Sequence, residues 1–194
     1  MQTSIIMHLE YVLKEKDKMI EITFLGRGGQ GAFTSSRILG AAASLFENKF
    51  ALSFPSFGPE RRGAPVYAYT KIDNNPIRNR SQSELSDYIV VLDDSLYSDS
   101  LFRKLKPNGK IILNTSHYKK CEYIVDFNAN QVAEEYLGAP ISNTAMLAVL
   151  VANTNIVSKE NLLSAIDYDM PARIATKNKT LVEYIFEHAE GVNI

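Results

Sequence analysis

Apolar and polar positions along this chain follow two different periods. Short apolar runs, some of them strictly alternating, are separated by segments in which apolar residues recur at every third or fourth position. The short runs predict β-strands at residues 20–25, 50–54, 66–72, 88–92, 110–113 and 123–127. The longer spacing predicts helices at about residues 31–46, 94–105, 129–136, 143–154, 159–166 and 175–189.

The order of these elements predicts the fold class. Strands and helices alternate as far as residue 127, and only helices follow. Such an order is typical of an α/β protein with an open, mostly parallel, Rossmann-like sheet and helices on both faces. The run at 88–92 is apolar almost throughout, as expected for a strand that is covered on both sides. The late helices predict a helical C-terminal part.

The chain is predicted to form a single domain. Its 194 residues suffice for one domain, and they contain no internal repeat, low-complexity segment or long linker. We expect this domain to span residues 19–194. Residues 1–18 include a run of alternating charges at 14–18 and are interpreted as an N-terminal extension, because Met19 directly precedes the first strand and is an alternative start.

Composition narrows the classes of function. A formal net charge of -1 disfavours a nucleic-acid-binding protein. The single cysteine, Cys121, excludes an intrachain disulfide and a thiolate cluster for zinc or iron–sulfur, and the three histidines lack metal-ligand spacing. No apolar run is long enough for a membrane helix, and no secretory signal is present. We therefore expect a cytoplasmic protein without a metal site of its own.

A glycine-rich turn connects the first strand to the first helix. Residues 26–31 read Gly-Arg-Gly-Gly-Gln-Gly, which satisfies the G-x-G-x-x-G spacing in its strand–turn–helix setting. Backbone N–H groups at a helix N-terminus favour an anion. We therefore predict that Gly28, Gly29 and Gly31 bind an anion through their N–H groups and that Gln30 donates or accepts a hydrogen bond at the edge of the cavity.

Other uses of this turn fit the sequence less well. A phosphate-binding P-loop needs Lys-Ser/Thr after its last glycine, where this chain has Ala32-Phe33. A nicotinamide dehydrogenase needs an acidic residue at the end of the second strand, which here ends in Ser53-Phe54-Pro55. A purely structural use, in which the glycines permit a tight turn without any ligand, stays open.

An arginine-bearing loop follows the second strand. Residues 55–65 are rich in proline and glycine and contain Glu60, Arg61 and Arg62. This loop and the glycine turn follow two strands that are expected to be neighbours in the sheet. Because ligands of open parallel sheets bind beyond the carboxyl ends of the strands, the loop and the turn are expected to border one crevice. The planar guanidinium suits phosphate or carboxylate. We predict that Arg61 and Arg62 pair with the anion and that Glu60 orients an arginine; exposed surface charges are the alternative.

In combination, these segments resemble the gamma subunit of 2-oxoacid:ferredoxin (or flavodoxin) oxidoreductases. The resemblance rests on residues 26–31 and 55–66, with Pro76-Ile77-Arg78 and residues 141–147 as further likenesses, and it extends over about residues 19–189. The Arg-Arg-Gly-Ala-Pro form at 61–65 is more similar to the pyruvate-type members. The N-terminal extension and the residues Phe33, Ser35 and Ser36 depart from the family pattern.

The resemblance implies a subunit that is not active alone. It implies alpha, beta and delta-type partner subunits that carry thiamine diphosphate, magnesium and iron–sulfur clusters, while this chain holds no cofactor and no catalytic residue. The chain would form a wall of the active-site cavity and place coenzyme A during oxidative decarboxylation, with ferredoxin or flavodoxin as the electron acceptor. The alternative from another class is a stand-alone regulatory module that binds a nucleotide or another anion.

Overall fold

A six-stranded open sheet forms the centre of the molecule. The computed structural model describes residues 19–56, 64–117 and 121–189. The strands are β1 (Ile20–Arg27), β2 (Phe50–Pro55), β3 (Pro65–Asp73), β4 (Ser86–Val91), β5 (Leu105–Asn114) and β6 (Ile124–Phe127), in the order β2-β3-β1-β4-β5-β6. Within the described ranges β3 alone runs against the others, pairing antiparallel with β1 and β2. The predicted mostly parallel sheet is thus confirmed.

One predicted turn lies inside a strand. Residues 107–109 read Pro-Asn-Gly, which is typical of a turn, so the sequence predicts a turn before the strand at 110–113. Instead β5 starts at Leu105, and its register with β4 passes from Ser86↔Leu105 to Tyr88↔Lys110. The surplus residues of β5 form an irregularity in the ladder, in which Asn108 has a φ of 66°. The prediction of a turn was wrong because strand pairing continues on both sides of this kink.

Five α-helices of the described residues form the rest of the layer structure. They are α1 (Ala32–Ala41), α2 (Ala129–Leu137), α3 (Asn143–Thr154), α4 (Lys159–Asp169) and α5 (Ala172–Ala189). A π-helical turn, Ala42–Phe46, continues α1 to the predicted end of the first helix. The single helix expected at 94–105 was wrong: this segment forms two 3-10 helices, Asp94–Leu96 and Asp99–Lys104. Its Ser and Asp side chains bond locally to one another and compete with helical hydrogen bonding.

The two faces of the sheet carry different layers. Alternate residues of β1 point to opposite faces: Phe24 packs with the α-helices, whereas Leu25 packs with Leu101 of the second 3-10 helix. Helix α3 lies deepest in the helical layer, since every residue from 143 to 151 is buried. Helices therefore cover both faces, as expected, but the α-helices share one face and the 3-10 helices cover the other.

Candidate functional site

The glycine turn and the two ends of the arginine loop adjoin at one edge of the sheet. This carboxyl edge is the edge at which β1, β4, β5 and β6 end. Because β3 runs the other way, it begins here, with Pro65 opposite Arg27. The N–H of Gly28 donates to the carbonyl of Ala64, with an N···O distance of 3.1 Å. Glu60, Arg61 and Arg62 themselves lie outside the described residues.

The backbone conformation of the turn explains why two of its residues are glycine. Gly29 has a φ of 93° and Gly31 a φ of 82°, values that side-chain-bearing residues adopt at a cost. Gly31 precedes α1, and a Cβ at this position would lie only 2.7 Å from Nδ2 of Asn143. Around Gly29, by contrast, a Cβ would meet no atom of the described residues within 4 Å. Gly31 is thus needed both for conformation and for close packing against α3.

Some N–H groups of the glycine turn already donate hydrogen bonds within the protein, which reduces the number that an anion could use. The N–H of Gly28 was predicted to bind an anion, but its bond to Ala64 occupies that donor. The N–H of Gln30 donates to the carbonyl of Arg27 at 2.9 Å. Those of Gly29 and Gly31 have no hydrogen-bond partner among the described residues, and the first turn of α1 contains no acidic residue. These two N–H groups are the donors of the turn that no described residue uses.

Gln30 folds back into the protein. Its Oε1 accepts from the N–H of Arg27 at 2.6 Å, and its Nε2 donates to Oδ2 of Asp93 at 2.9 Å. The sequence predicted a hydrogen bond at the edge of the cavity, whereas both ends of this amide are used within the fold. Gln30 therefore fastens the glycine turn to the segment that follows β4.

Asp93 links the glycine turn to the first 3-10 helix, a role that the sequence did not predict. Its Oδ2 also accepts from Nε of Arg27 at 3.1 Å, while Oδ1 accepts from the N–H and the hydroxyl of Ser95. Asp93 also caps the first 3-10 helix, since its side chain accepts from the N–H of Ser95. Its link to the glycine turn depends on β4 lying beside β1, which the spacing of residues along the chain cannot reveal.

Asp93 is held in its charged form. Burial raises the pKa of this carboxyl, but hydrogen bonds from Ser95 and Gln30 together with the charge of Arg27 outweigh that effect and leave its pKa below the ordinary value. A carboxylate that accepts this many bonds is a poor proton acceptor at neutral pH. Asp93 consequently serves as an anchor for the turn rather than as a base.

A second polar residue ties the helical layer to the same edge. The Nδ2 of Asn114, at the end of β5, donates to the carbonyl of Leu92 at 2.9 Å and lies 3.2 Å from Oγ of Ser142. Its Oδ1 accepts from the N–H of Ala129 at 3.0 Å. One buried amide thus fixes the starts of α2 and α3 relative to β4. Sequence reasoning missed Asn114, since nothing local distinguishes it from a strand-end asparagine.

The start of α3 completes the edge. Asn143 is buried against Gly31, and its carbonyl accepts from the hydroxyl of Ser35 at 3.0 Å. Ser142 occupies the N-cap position of α3, and Asn143 is the first residue of the helix. Ser35, one of the residues that depart from the family pattern, has a structural role here, because its hydroxyl bonds across to α3. Residues 141–147 were part of the family likeness, but sequence reasoning did not place them beside the glycine turn.

Metal chemistry and membrane insertion receive no support from the described ranges. They contain no group of three or more His, Cys, Asp or Glu side chains arranged to bind a metal ion. None of the described helices combines the length and the apolar character that a bilayer span requires.

Comparison with known proteins points to one family. Residues 21–188 match the family model described as pyruvate ferredoxin/flavodoxin oxidoreductase. The pyruvate synthase subunit PorC of Methanothermobacter thermautotrophicus is 41% identical over 179 residues, which cover 91% of this chain and 99% of that protein. The common subunit gamma of the pyruvate/ketoisovalerate oxidoreductases of Pyrococcus furiosus is 41% identical over 182 residues, covering 89% and 98%.

Solved structures agree with this relationship. The crystal structure of the pyruvate oxidoreductase subunit PORC from Thermotoga maritima superposes with a TM-score of 0.75 at 31% identity, over 88% of this chain and 96% of that one. The gamma subunit of a keto/oxoacid ferredoxin oxidoreductase from Geobacter sulfurreducens superposes with a TM-score of 0.78 at 26% identity, over 91% and 99%.

Proposed function

This chain belongs to the pyruvate ferredoxin/flavodoxin oxidoreductase family, and from that premise we propose that it is the gamma subunit of a multi-subunit pyruvate oxidoreductase. In this role it forms one wall of the active-site cavity and helps to place coenzyme A, and it has no activity alone. Its partners are alpha, beta and delta-type subunits. Near-complete coverage of relatives that are themselves named as subunits supports this assignment.

One observation carries the proposed role in coenzyme A placement. At the carboxyl edge, the N–H groups of Gly29 and Gly31, which no described residue pairs, precede a helix that has no acidic residue in its first turn. The segment that carries Arg61 and Arg62 rejoins the sheet beside them, since Gly28 bonds to Ala64. Coenzyme A carries phosphate groups, which such N–H groups and arginines bind well.

Side chains at the carboxyl edge fix the conformation of the glycine turn. Gln30 and Asp93 hold the glycine turn through bonds of 2.6 and 2.9 Å, so its two available N–H groups are oriented before a ligand arrives. Such preorganisation lowers the ordering that binding would otherwise require. Thiamine diphosphate with magnesium and the iron–sulfur clusters, carried by partner subunits, supply the decarboxylation and the transfer of electrons to ferredoxin or flavodoxin.

The test uses Arg62→Ala in the assembled complex. Loss of a charge-assisted bond to phosphate weakens binding by about 1.5–3 kcal/mol, so we expect the apparent KM for coenzyme A to rise at least about tenfold. The matched control is Arg80→Ala, because Arg80 is exposed and lies between the end of β3 and the start of β4, at the opposite edge. That variant should stay within about twofold of the parent. An unchanged KM and turnover for Arg62→Ala would reject the role.

Native purification separates this proposal from the stand-alone alternative. A gamma subunit should co-elute with brown, thiamine-containing partner chains. A colourless chain that elutes alone and binds a nucleotide tightly would instead favour the regulatory module.

A further inference from the structure

An open apolar groove lies beside the carboxyl edge, on the helical layer. It has a volume of about 550 Å³ and runs between the end of α2, the start of α3 and the start of α5. Its apolar walls are Leu137, Ile141, Met170, Pro171 and Ile174. Ile141 is 57% exposed and Ile174 is 51% exposed. An enclosed ligand pocket would bury these apolar side chains, whereas this C-terminal groove leaves them exposed. Exposed apolar patches of this kind are typical of surfaces that bind another protein.

The rim of the C-terminal groove is positively charged. Arg173 and Lys177 are exposed, lie one turn apart on α5, and form no ion pair with any described residue. None of the described residues that line the groove is acidic. Asp169, which directly precedes the groove residue Met170 in the sequence, is bound to Arg37 at 3.0 Å, and its side chain is only 6% exposed. Within the described part of the chain, two cations are thus left without a counter-charge at the mouth of an apolar groove.

Helix ends add to this positive field. Helices α3 and α5, of 12 and 18 residues, both begin at the groove, and a helix N-terminus carries partial positive charge. The N-cap Ser142 makes no side-chain capping bond to α3. The potential at the groove therefore favours an occupant with a carboxylate.

The floor of the groove contains an unsatisfied polar group. Thr144 lines the groove and is 1% exposed, yet its Oγ1 has no hydrogen-bond partner among the described residues. Buried hydroxyls are nearly always bonded, and an orphaned one costs free energy. This hydroxyl lies beneath the surface of the groove, where solvent does not reach it, so a polar group of an occupant bonds to it only after neighbouring side chains move apart.

We propose that the C-terminal groove is the docking site for a segment of a partner subunit that carries an apolar anchor next to a carboxylate. The anchor packs between Ile141 and Ile174, and the carboxylate pairs with Arg173 and Lys177. A second copy of this chain is a poor occupant, because a symmetric contact at the groove would bring four like charges together. The inference rests on the proposed function only in requiring partner subunits; it does not depend on coenzyme A binding.

The first test reverses the rim charges in the full-length chain. Arg173→Glu/Lys177→Glu is compared with the charge-conserving Arg173→Lys/Lys177→Arg, and the Kd of each tagged chain for the remaining subunits is measured at low and high salt. We expect at least a tenfold weaker Kd for the reversal and a change below about threefold for the conserving pair. The parent Kd should also weaken with salt more steeply than that of the reversal. A reversal within twofold of the parent would overturn the proposal.

The second test identifies the occupant. A photo-crosslinking benzoyl-phenylalanine is placed at position 174 in the assembled complex, with position 45 as the control, since Leu45 is likewise exposed but lies near the opposite end of the helical layer. We expect position 174 alone to capture a peptide from another subunit that contains an acidic residue beside an apolar one. Capture of a second copy of this chain, or no capture, would refute the assignment. The KM for coenzyme A of Arg62→Ala is measured separately from subunit docking. A failure of the docking proposal is therefore distinguishable from a failure of the proposed role in coenzyme A placement.

Discussion

The two edges of the sheet use charged side chains in opposite ways. At the amino edge, where β1 begins, Lys71 lies 3.2 Å from Glu21, and Lys106 bridges Glu21 and Asp87 at 3.0 and 2.7 Å. Lys71 is 1% exposed, and every member of this cluster has an opposite charge beside it. At the carboxyl edge, the side chains of Arg27 and Asp93 are 37% and 19% exposed.

The charges at the amino edge are fully paired and stabilise the fold, whereas the carboxyl edge keeps N–H donors that no described residue uses. The amino-edge cluster is closed: even the N–H of Glu21 donates to Asp87, at 2.8 Å, so it has little left to offer a ligand. The carboxyl edge uses Asp93 to hold the turn, yet no described residue pairs with the N–H groups of Gly29 and Gly31. Backbone N–H groups that the fold leaves without a protein partner at a helix N-terminus are typical of anion-binding places.

The largest effect is expected from Lys71→Met. Removal of one partner of a buried ion pair leaves the other charge uncompensated, which costs about 3–5 kcal/mol. Since Lys106 stays beside Glu21, we expect the free energy of unfolding to fall by about 3 kcal/mol in urea titrations.

Lys179→Met is its control. Lys179 pairs with Asp167 at 2.6 Å, but that pair is exposed, so the loss should stay below about 1 kcal/mol. Equal losses for the two variants would show that the amino-edge cluster contributes no more than a surface pair.

An intermediate effect is expected from Gly31→Ala. The left-handed backbone alone costs an alanine about 1 kcal/mol, and the contact with Asn143 adds to it, giving about 2 kcal/mol in total. Gly138→Ala is the matched control, because Gly138 has a φ of 76° but no atom of the described residues lies within 4 Å of the place that an alanine methyl would take. The two unfolding free energies should differ by about 1 kcal/mol; no difference would mean that α3 moves away freely.

The smallest effect is expected from Asp93→Asn. The pKa of Asp93 is lower in the folded protein than its ordinary value of 3.8, so its contribution to stability is present above that pH and is lost as the pH falls through the folded value. We expect the variant to lose about 1 kcal/mol at pH 7 and to show a shallower decline of unfolding free energy below about pH 3.8. The comparator is Asp99→Asn, an exposed carboxylate, with a change below about 0.5 kcal/mol at pH 7. Parallel acid profiles for Asp93→Asn and the parent would contradict the anchoring role.

Local patterns were sufficient for most of the elements. The strand–turn–helix around residues 20–46 and the helix at 143–154 were predicted from periodicity and glycine spacing, because both depend on neighbours in the chain. The helix predicted at 94–105 failed since several short polar side chains satisfied each other locally. The anion-binding residues remain predictions for Glu60, Arg61 and Arg62, which lie outside the described residues.

The sequence by itself determined the class of fold, the resemblance to the family and the glycine turn at the start of the first helix. Only the tertiary structure decided that β3 lies between β1 and β2 and runs against them. With β3 beside β1, the N–H of Gly28 donates to the carbonyl of Ala64, and Lys71 is buried next to Glu21. Both outcomes depend on which strand becomes the neighbour of β1, a non-local choice made by packing, and no spacing along the chain encodes it.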